Sequence, residues 1–397
     1  MTDLIFFGLF FAAIAIGWTL GRYARSTGAA TSYFSSEQQG RTHSADTAID
    51  SLVGSLSADG GNTQARIALG VQLRKRGEVD GAVRIHQELL ARTGLPARDA
   101  AQAQLELARD YTSAGLLDRA EELLLELIRD FPGQSQAGRR HLLEIYEIER
   151  DWRRAIEAAK PLLPRKLARK GATSESHHGR GQRIAQRLAH YGCELAEEER
   201  LGGDLDAARS LLQEALSRDK CSARASMLLA QVEWDAGRYL QAARSLRRVR
   251  VQDPDYLPET IELLRNCYVA LDDSESFRVY LLECLAARPT PALVAAVAED
   301  IGRVEGDLAA GEFLAEQLVD YPSLQGLAQL IGLQRSAEDT PSYPDIALLQ
   351  TLSQRLVATR PAYRCGHCGF AGKHLHWHCP GCKRWGSIKA IDGPGSV

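Results

Sequence analysis

Apolar residues fall along this chain in three rhythms. Over residues 4–20, LIFFGLFFAAIAIGWTL, no charge interrupts a run of 17 residues. At the helical rise that run spans roughly 26 Å, enough for a slightly thinned bilayer core, so it predicts one membrane-spanning helix. Over residues 62–360, small and apolar positions recur with a period of 34, which predicts a row of antiparallel helix pairs. From residue 361 onward large apolar groups are few and Cys and His take their place, as in a module too small to fold by burial alone. Residues 23–61 turn to Ser, Thr, Gly and Ala, the composition of a linker. Yet Ala48 lies 34 residues before Ala82 and Leu52 lies 34 before His86, so a degenerate first repeat is expected within that stretch.

The 34-residue unit has the pattern of a tetratricopeptide repeat, in which small residues sit where two helices cross, a turn residue ends the first helix and Pro stops the second. Ala108, Tyr111, Gly115, Ala120, Leu124, Leu127 and Pro132 fill the small, aromatic, turn, small, large, apolar and stop positions. Ala230, Gly237, Ala242, Leu246, Val249 and Pro254 repeat them. Tyr146 with Ala155, then Gly203, Ala208, Leu212 and Ala215, mark units in between. Tyr268, Phe277, Leu281 and Pro289, then Ala310, Leu314 and Pro322, mark units beyond, and residues 324–358 read as a last, atypical pair. A plain helical bundle would not hold Pro at 254, 289 and 322 or Ala at 208 and 242. The expected fold is all-α, a superhelical solenoid with a concave face that binds protein segments. Along it there is no nucleophile with a partnered base, no phosphate-cradling Gly loop and no paired-carboxylate motif, so no enzyme activity is expected.

Charge orients the first helix. Arg22 and Arg25 follow the apolar run and no Lys or Arg precedes it, so the rest of the chain is expected in the cytoplasm, with Trp18 and Tyr23 at headgroup level. A cleaved signal peptide is the competing reading, but such peptides begin with basic residues and here only Asp3 comes first. The composition, 45% hydrophobic and 25% charged over 397 residues, is ordinary for folded protein, and a net charge of −3 argues against a nucleic-acid binder. The lone cysteines Cys193, Cys221, Cys267 and Cys284 are expected to be small buried residues in a reducing compartment. A basic insertion, residues 164–190, carries Arg165, Lys166, Arg169, Lys170, Arg180, Arg183 and Arg187 against Glu175 alone. It reads as a solvated loop running into a charged helix face, or as a contact for anionic lipid or an acidic partner.

The tail carries the candidate chemistry. Cys365 with Cys368 and Cys379 with Cys382 form two C-x2-C turns, and two such knuckles face to face supply four sulfurs at tetrahedral corners for one Fe or Zn ion. Gly369 suits the positive φ of the first turn and Pro380 pre-sets the second. Disulfides are the less economical account of pairs so close in sequence. His367, His374, His376 and His378 could compete as ligands but are read as solvent-facing, since four sulfurs complete a closed structural site with no open position for a water. Tyr363, Phe370, Leu375, Trp377, Trp385 and Ile388 are the apolar groups expected to pack around it. With only Pro361 and Ala362 as a tether, the module is expected to dock against the end of the array.

Anchor, repeat array and thiolate module together resemble the lipopolysaccharide assembly protein B family (LapB, also called YciM). The most specific pieces are RGEVDGAVRIHQ, residues 76–87, and the tail pattern YRC-x2-CGF with W-x-CP-x-C and W, residues 363–385, which is similar to rubredoxin. The resemblance implies four parts: a transmembrane anchor over 1–22, a linker with a degenerate repeat over 23–61, a repeat array over 62–360 and a rubredoxin-like metal-binding domain over 361–397. Cys365, Cys368, Cys379 and Cys382 are the implied ligands. It further implies an adaptor at the bacterial inner membrane that acts with the protease FtsH to promote turnover of the deacetylase LpxC and gathers other lipopolysaccharide assembly proteins. The alternative is a rubredoxin-like iron electron-transfer protein with a partner-binding array.

Overall fold

A computed structural model describes residues 63–163, 175–337 and 344–391. The apolar run, the linker and residues 164–174 of the basic insertion, with Arg165, Lys166, Arg169 and Lys170, lie outside the described residues, and so does the side chain of Arg180. Among the described residues no helix is long and apolar enough to cross a membrane. The chain divides into two compact units, one ending at Ile145 and the other beginning at Tyr146.

The first unit holds α1 (Thr63–Arg76), α2 (Val79–Leu90), α3 (Ala97–Ser113) and α4 (Leu117–Asp130), and the division falls inside α5 (Ser135–Glu149). The second continues with α6 (Trp152–Ala159), α7 (Glu175–Leu201), α8 (Leu205–Arg218), α9 (Ala223–Asp235), α10 (Tyr239–Gln252), α11 (Ile261–Ala270), α12 (Ser274–Ala287), α13 (Pro291–Glu305), α14 (Asp307–Asp320), α15 (Leu324–Ala337) and α16 (Pro344–Thr359). Three short strands end it: β1 (Tyr363–Cys365), β2 (Ala371–Gly372) and β3 (Ile388–Ala390).

The helix pairs repeat for a backbone reason as well as a side-chain one. Ala82, Ala108, Ala120, Ala155, Ala208, Ala230, Ala242 and Ala310 are fully buried, because only a methyl fits where the two helices of a pair cross. Within a pair the first helix ends on a residue at positive φ: Gly115, Gly203, Gly237 and Gly306, but also Arg150 (φ 59°) and Asp272 (φ 54°). The next N–H then reaches five residues back, Leu116 to Tyr111 (2.8 Å), Asp151 to Tyr146 (2.9 Å), Arg238 to Glu233 (2.8 Å) and Asp273 to Tyr268 (3.0 Å), closing the helix end in the same way each time. Asp151, Asp204 and Asp273 then cap the second helix by accepting a backbone N–H three residues on. Pro132 and Pro254 each open a short 3-10 turn after the second helix, and Pro291 occupies the first turn of α13.

Ion pairs at nearly one repeat's spacing join neighbouring pairs of the second unit: Arg200 with Asp235 (2.8 Å), Arg265 with Glu299 (2.8 Å) and Arg288 with Asp255 (2.7 Å). Three of the four isolated cysteines are buried as expected, and burial pushes the Cys193 thiol up to about 12, where it is inert. Cys221 departs from that expectation. It lies exposed in the turn between α8 and α9. The described part of the basic insertion is helical, and its Arg187 is not free for an outside anion: its guanidinium binds the Glu147 carboxylate at 2.9 Å.

The first unit contains a buried polar cluster. His86 and Asp110 are both fully buried, 2.5 Å apart, and Asp110 also accepts from Arg74 at 2.6 Å. His86 lies against Gly70, so close that an added Cβ there would come within 2.5 Å of the imidazole. Replacing Gly70 by Ala is therefore expected to push His86 off Asp110 and to destabilise α1–α3 by about 1–3 kcal/mol, despite the gain in helix propensity. Hydrogen exchange of residues 63–113 checks this; unchanged exchange would remove the argument.

Candidate metal centre

Two knuckles of the same design build the site. β1 pairs antiparallel with β2 on one side and β3 on the other, and the first knuckle grows from the end of β1. Cys365 donates its N–H to the Phe370 carbonyl (2.7 Å) while its own carbonyl accepts from Gly369 (3.0 Å). Cys379 donates to the Arg384 carbonyl and accepts from Lys383, both at 2.9 Å. The residue four after each leading Cys takes positive φ, Gly369 at 77° and Lys383 at 57°. The sequence signal found the first and missed the second, because Lys rarely adopts that conformation.

The four sulfurs lie within 4.8 Å of one another, with Cys365 to Cys382 at 3.7 Å and Cys368 to Cys379 at 3.6 Å. A tetrahedron of thiolates about 2.3 Å from a central ion has edges of about 3.8 Å, so the four cysteines form a rubredoxin-like metal site whose dimensions fit Zn or Fe. The His367 N–H points at Cys365 Sγ (3.4 Å) and the Ser387 hydroxyl lies 3.3 Å from it. Burial opposes ionisation of Cys365, but the hydrogen bond with Ser387 and the N–H groups of Cys368 and His367 outweigh it and bring the thiol down to about 6. Cys368 accepts from the Phe370 N–H, yet desolvation and then the hydrogen bonds it shares with the other sulfurs carry its thiol up to about 11. Protons and metal therefore compete for the cage.

His367, His374 and His376 are exposed, as expected. His378 is not. It is half-buried, stacked on Trp385 with ring centres 4.5 Å apart, and hydrogen-bonded through Nε2 to the Lys383 carbonyl at 3.0 Å.

Trp377 and Trp385 do not pack around the ion cage either; a module this small has no room to enclose two indoles, and both are turned into the helical array. Trp385 stacks on His190 of α7 at 4.9 Å, meets Trp152 and Tyr191 edge-on, and donates its Nε1–H to Glu147 Oε1 at 2.8 Å. Trp377 packs on Tyr256 at 4.7 Å, and the Arg224 guanidinium lies 5.7 and 5.6 Å from the Trp377 and Trp385 rings. The Tyr256 hydroxyl donates toward the Gly386 and Ile388 carbonyls (3.2 and 3.1 Å), Tyr363 donates to Glu259 (2.7 Å), and Lys389 pairs with Asp253 over the Tyr256 ring.

The module thus seats on α5–α10 and the turn after α10, rather than on the last helix pairs at the end of the array. The short tether fixes only where the module begins. The seat is chosen by aromatic faces and by the carboxylates that receive its donors.

Two pH effects follow. Ser387→Ala is expected to raise the Cys365 thiol, so that protons displace the ion at a higher pH than in the parent protein; metal content after dialysis across pH 8 to 5 measures the shift, and coincident curves would refute it. In the seat, burial first, then the nearby Arg224 and His378, hold His190 down to about 3. The docked imidazole binds fewer protons than a solvated one near 6.5, so docking is constant above that pH and weakens by about tenfold per unit below it. His190→Phe should flatten that dependence, read as the protection factors of residues 363–391 after the intrinsic pH dependence of amide exchange is divided out, with metal content followed in parallel; a parent protein whose protection factors ignore pH would contradict it.

Comparison with known proteins agrees with this architecture. The rubredoxin metal binding domain family matches residues 363–390, and tetratricopeptide repeat families match residues 38–135 and 201–267. Lipopolysaccharide assembly protein B of Escherichia coli strain K12 is 32% identical over 407 residues, covering 99% of each chain. The protein of that name from Haemophilus influenzae is 32% identical over 330 residues, covering 83% of this chain and 79% of its own. Among solved structures, that of Naa15/Naa10 bound to HypK-THB is similar with a TM-score of 0.47 at 16% identity, covering 76% of this chain and 44% of that one. With paired helices in each unit, a four-thiolate module within the second and a relative matched along its full length, the chain belongs to the lipopolysaccharide assembly protein B family.

Proposed function

We propose that this chain is a non-enzymatic adaptor in lipopolysaccharide assembly, anchored in the bacterial inner membrane by residues 4–20 with its bulk on the cytoplasmic side, and that it presents LpxC to the membrane protease FtsH. The uncharged run followed by Arg22 and Arg25 supports the anchor and its orientation. None of its eight cysteines is in a disulfide, which fits a reducing compartment. The repeat array supports a protein partner, and four sulfurs on one ion leave no coordination position for a substrate.

The observation that carries the reading is the seat. Trp385 and Trp377 flank the second knuckle and fix the thiolate module to α5–α10, so the ion works as a structural part of a protein-binding surface. The proposal predicts that depleting the protein raises LpxC, and that Trp385→Ala raises it as strongly while the purified variant keeps its metal. LpxC unaltered by depletion would end the reading.

One feature favours electron transfer instead: Cys368 is exposed, which brings the edge of the cage to solvent. Colour separates the two. A colourless, Zn-loaded protein with full control of LpxC excludes a redox role.

A further inference from the structure

The outer faces of α10 and α14 repeat one pattern with opposite charge. α10, α12 and α14 are the second helices of three successive pairs, and Ala242, Phe277 and Ala310 hold the same place in each. Around that place the exposed stripe of α10 reads Leu240, Arg244, Arg247, Arg248 and Val251. The matching stripe of α14 reads Leu308, Glu312, Ala315, Glu316 and Val319. At 100° per residue each fills an arc of about 100°. α10 holds no Asp or Glu and α14 no Lys or Arg. Arg244, Arg248, Glu312 and Glu316 have no ion pair with a described residue. The charges that border the stripes are already paired within the chain: Arg238 with Glu233, Arg250 with Glu283, Arg303 with Glu299 and Asp253 with Lys389. α12 lies between the two. Arg247 of α10 sits 5.0 Å from the centre of its Tyr280 ring, and its Leu285 packs with Phe313 of α14 on one cluster. The outer face of α12 is apolar in its middle, where Val279 and Leu282 are exposed.

We infer that this face of the second unit binds a second copy of the chain about a two-fold axis that runs along α12. The axis sets α12 on its own counterpart through Val279 and Leu282 and lays α10 of each copy along α14 of the other. Arg244, Arg247 and Arg248 then face Glu312 and Glu316 on both sides, and the apolar ends of one stripe meet those of the other, since the residues stand at equivalent places in the repeat. Such a face is complementary to itself, as a two-fold interface requires. Glu275 approaches its own counterpart, but it lies in the first turn of α12, where the helix dipole favours an acid. Three helices of 14 residues at about 10 Å spacing cover roughly 600 Å² per copy, the low end for a specific interface, so the dimer is expected to dissociate on dilution. An anionic lipid surface or an acidic polypeptide would suit α10 and meet like charge at α14. A second copy matches both.

Self-association of this kind is independent of the adaptor reading. The full chain in detergent is followed by sedimentation from high to low concentration, with hydrogen exchange of residues 239–252 and 307–320 in parallel. The parent protein should pass from dimer to monomer on dilution, and both helices should lose protection together. Arg244→Glu with Arg248→Glu, or Glu312→Arg with Glu316→Arg, should each weaken the dimer by about tenfold or more. An equimolar mixture of the two variants should restore it, because the reversed α10 of one then meets the reversed α14 of the other and the two unreversed helices meet as well. A parent protein that stays monomeric at every concentration overturns the proposal. So does a dimer that neither pair of substitutions weakens, as one made through residues 4–20 would be, or a loss that mixing does not restore. Protection of residues 239–252 alone, on addition of phosphatidylglycerol vesicles or polyglutamate, identifies a different occupant and overturns it too.

Discussion

The Glu147 carboxylate is the point at which the tail and the helices depend on one another. Its side chain is 9% exposed, and a carboxylate so enclosed is tolerable only when donors surround it. It has three, from two places: Arg187 at 2.9 Å, the Tyr191 hydroxyl at 2.6 Å and the Trp385 indole at 2.8 Å. Arg187 and Tyr191 come from α7, so the array neutralises the charge itself. Burial pushes the Tyr191 phenol well above its ordinary range, which keeps it a donor at every ordinary pH. What the tail adds is the last donor, on a ring stacked with the imidazoles of His190 and His378. The bond is directional where the stacking is not, and together they fix the module's orientation as well as its contact.

This arrangement divides the work of stabilising a module that cannot stabilise itself. Binding of a structural ion by four thiolates is worth on the order of 10 kcal/mol or more, which outweighs anything Cys365, Cys379, Ile388 and their few apolar neighbours can gain by burial. Its effect is local, since it closes the two knuckles. An enclosed indole removes about 150–250 Å² from water, an upper bound of roughly 4–6 kcal/mol at 25 cal/mol per Å². That is enough to seat a module already folded but too little to fold it. Because Trp377 and Trp385 lie two residues before Cys379 and three after Cys382, the ion that closes the second knuckle also sets the spacing of the two rings that enter the array.

The repeat and the ligand set were legible because each rests on residues with few substitutes. Nothing but a methyl fits the crossing at Ala120 or Ala242, and only four sulfurs at this spacing make a thiolate cage. Legibility failed where the chain uses an unexpected residue for a familiar backbone task. Arg150, Asp272 and Lys383 adopt the conformation that Gly takes at equivalent turns, and nothing in their chemistry announces it. It failed again for the seat. Glu147, His190, Arg224 and Tyr256 read as ordinary positions of amphipathic helices, and only the folding back of a segment 238 residues away from Glu147 gives them a shared role. Two tryptophans in a module too small to bury them were the available signal, since surplus aromatic surface on a minimal domain needs an external partner.

The place of the seat also constrains how such an array can hold another protein. The module covers His190 and Tyr191 of α7 and Arg224 and Met227 of α9, the first helices of successive pairs. A polypeptide reaching these residues must displace Trp377 and Trp385 or bind the module along with the helices. Displacement would leave Glu147 without its indole donor and expose two large rings, so binding that includes the module is the less costly route. The part of the second unit between α5 and α10 is therefore a composite surface, part repeat and part metal knuckle, and its shape depends on the ion as much as on the helices.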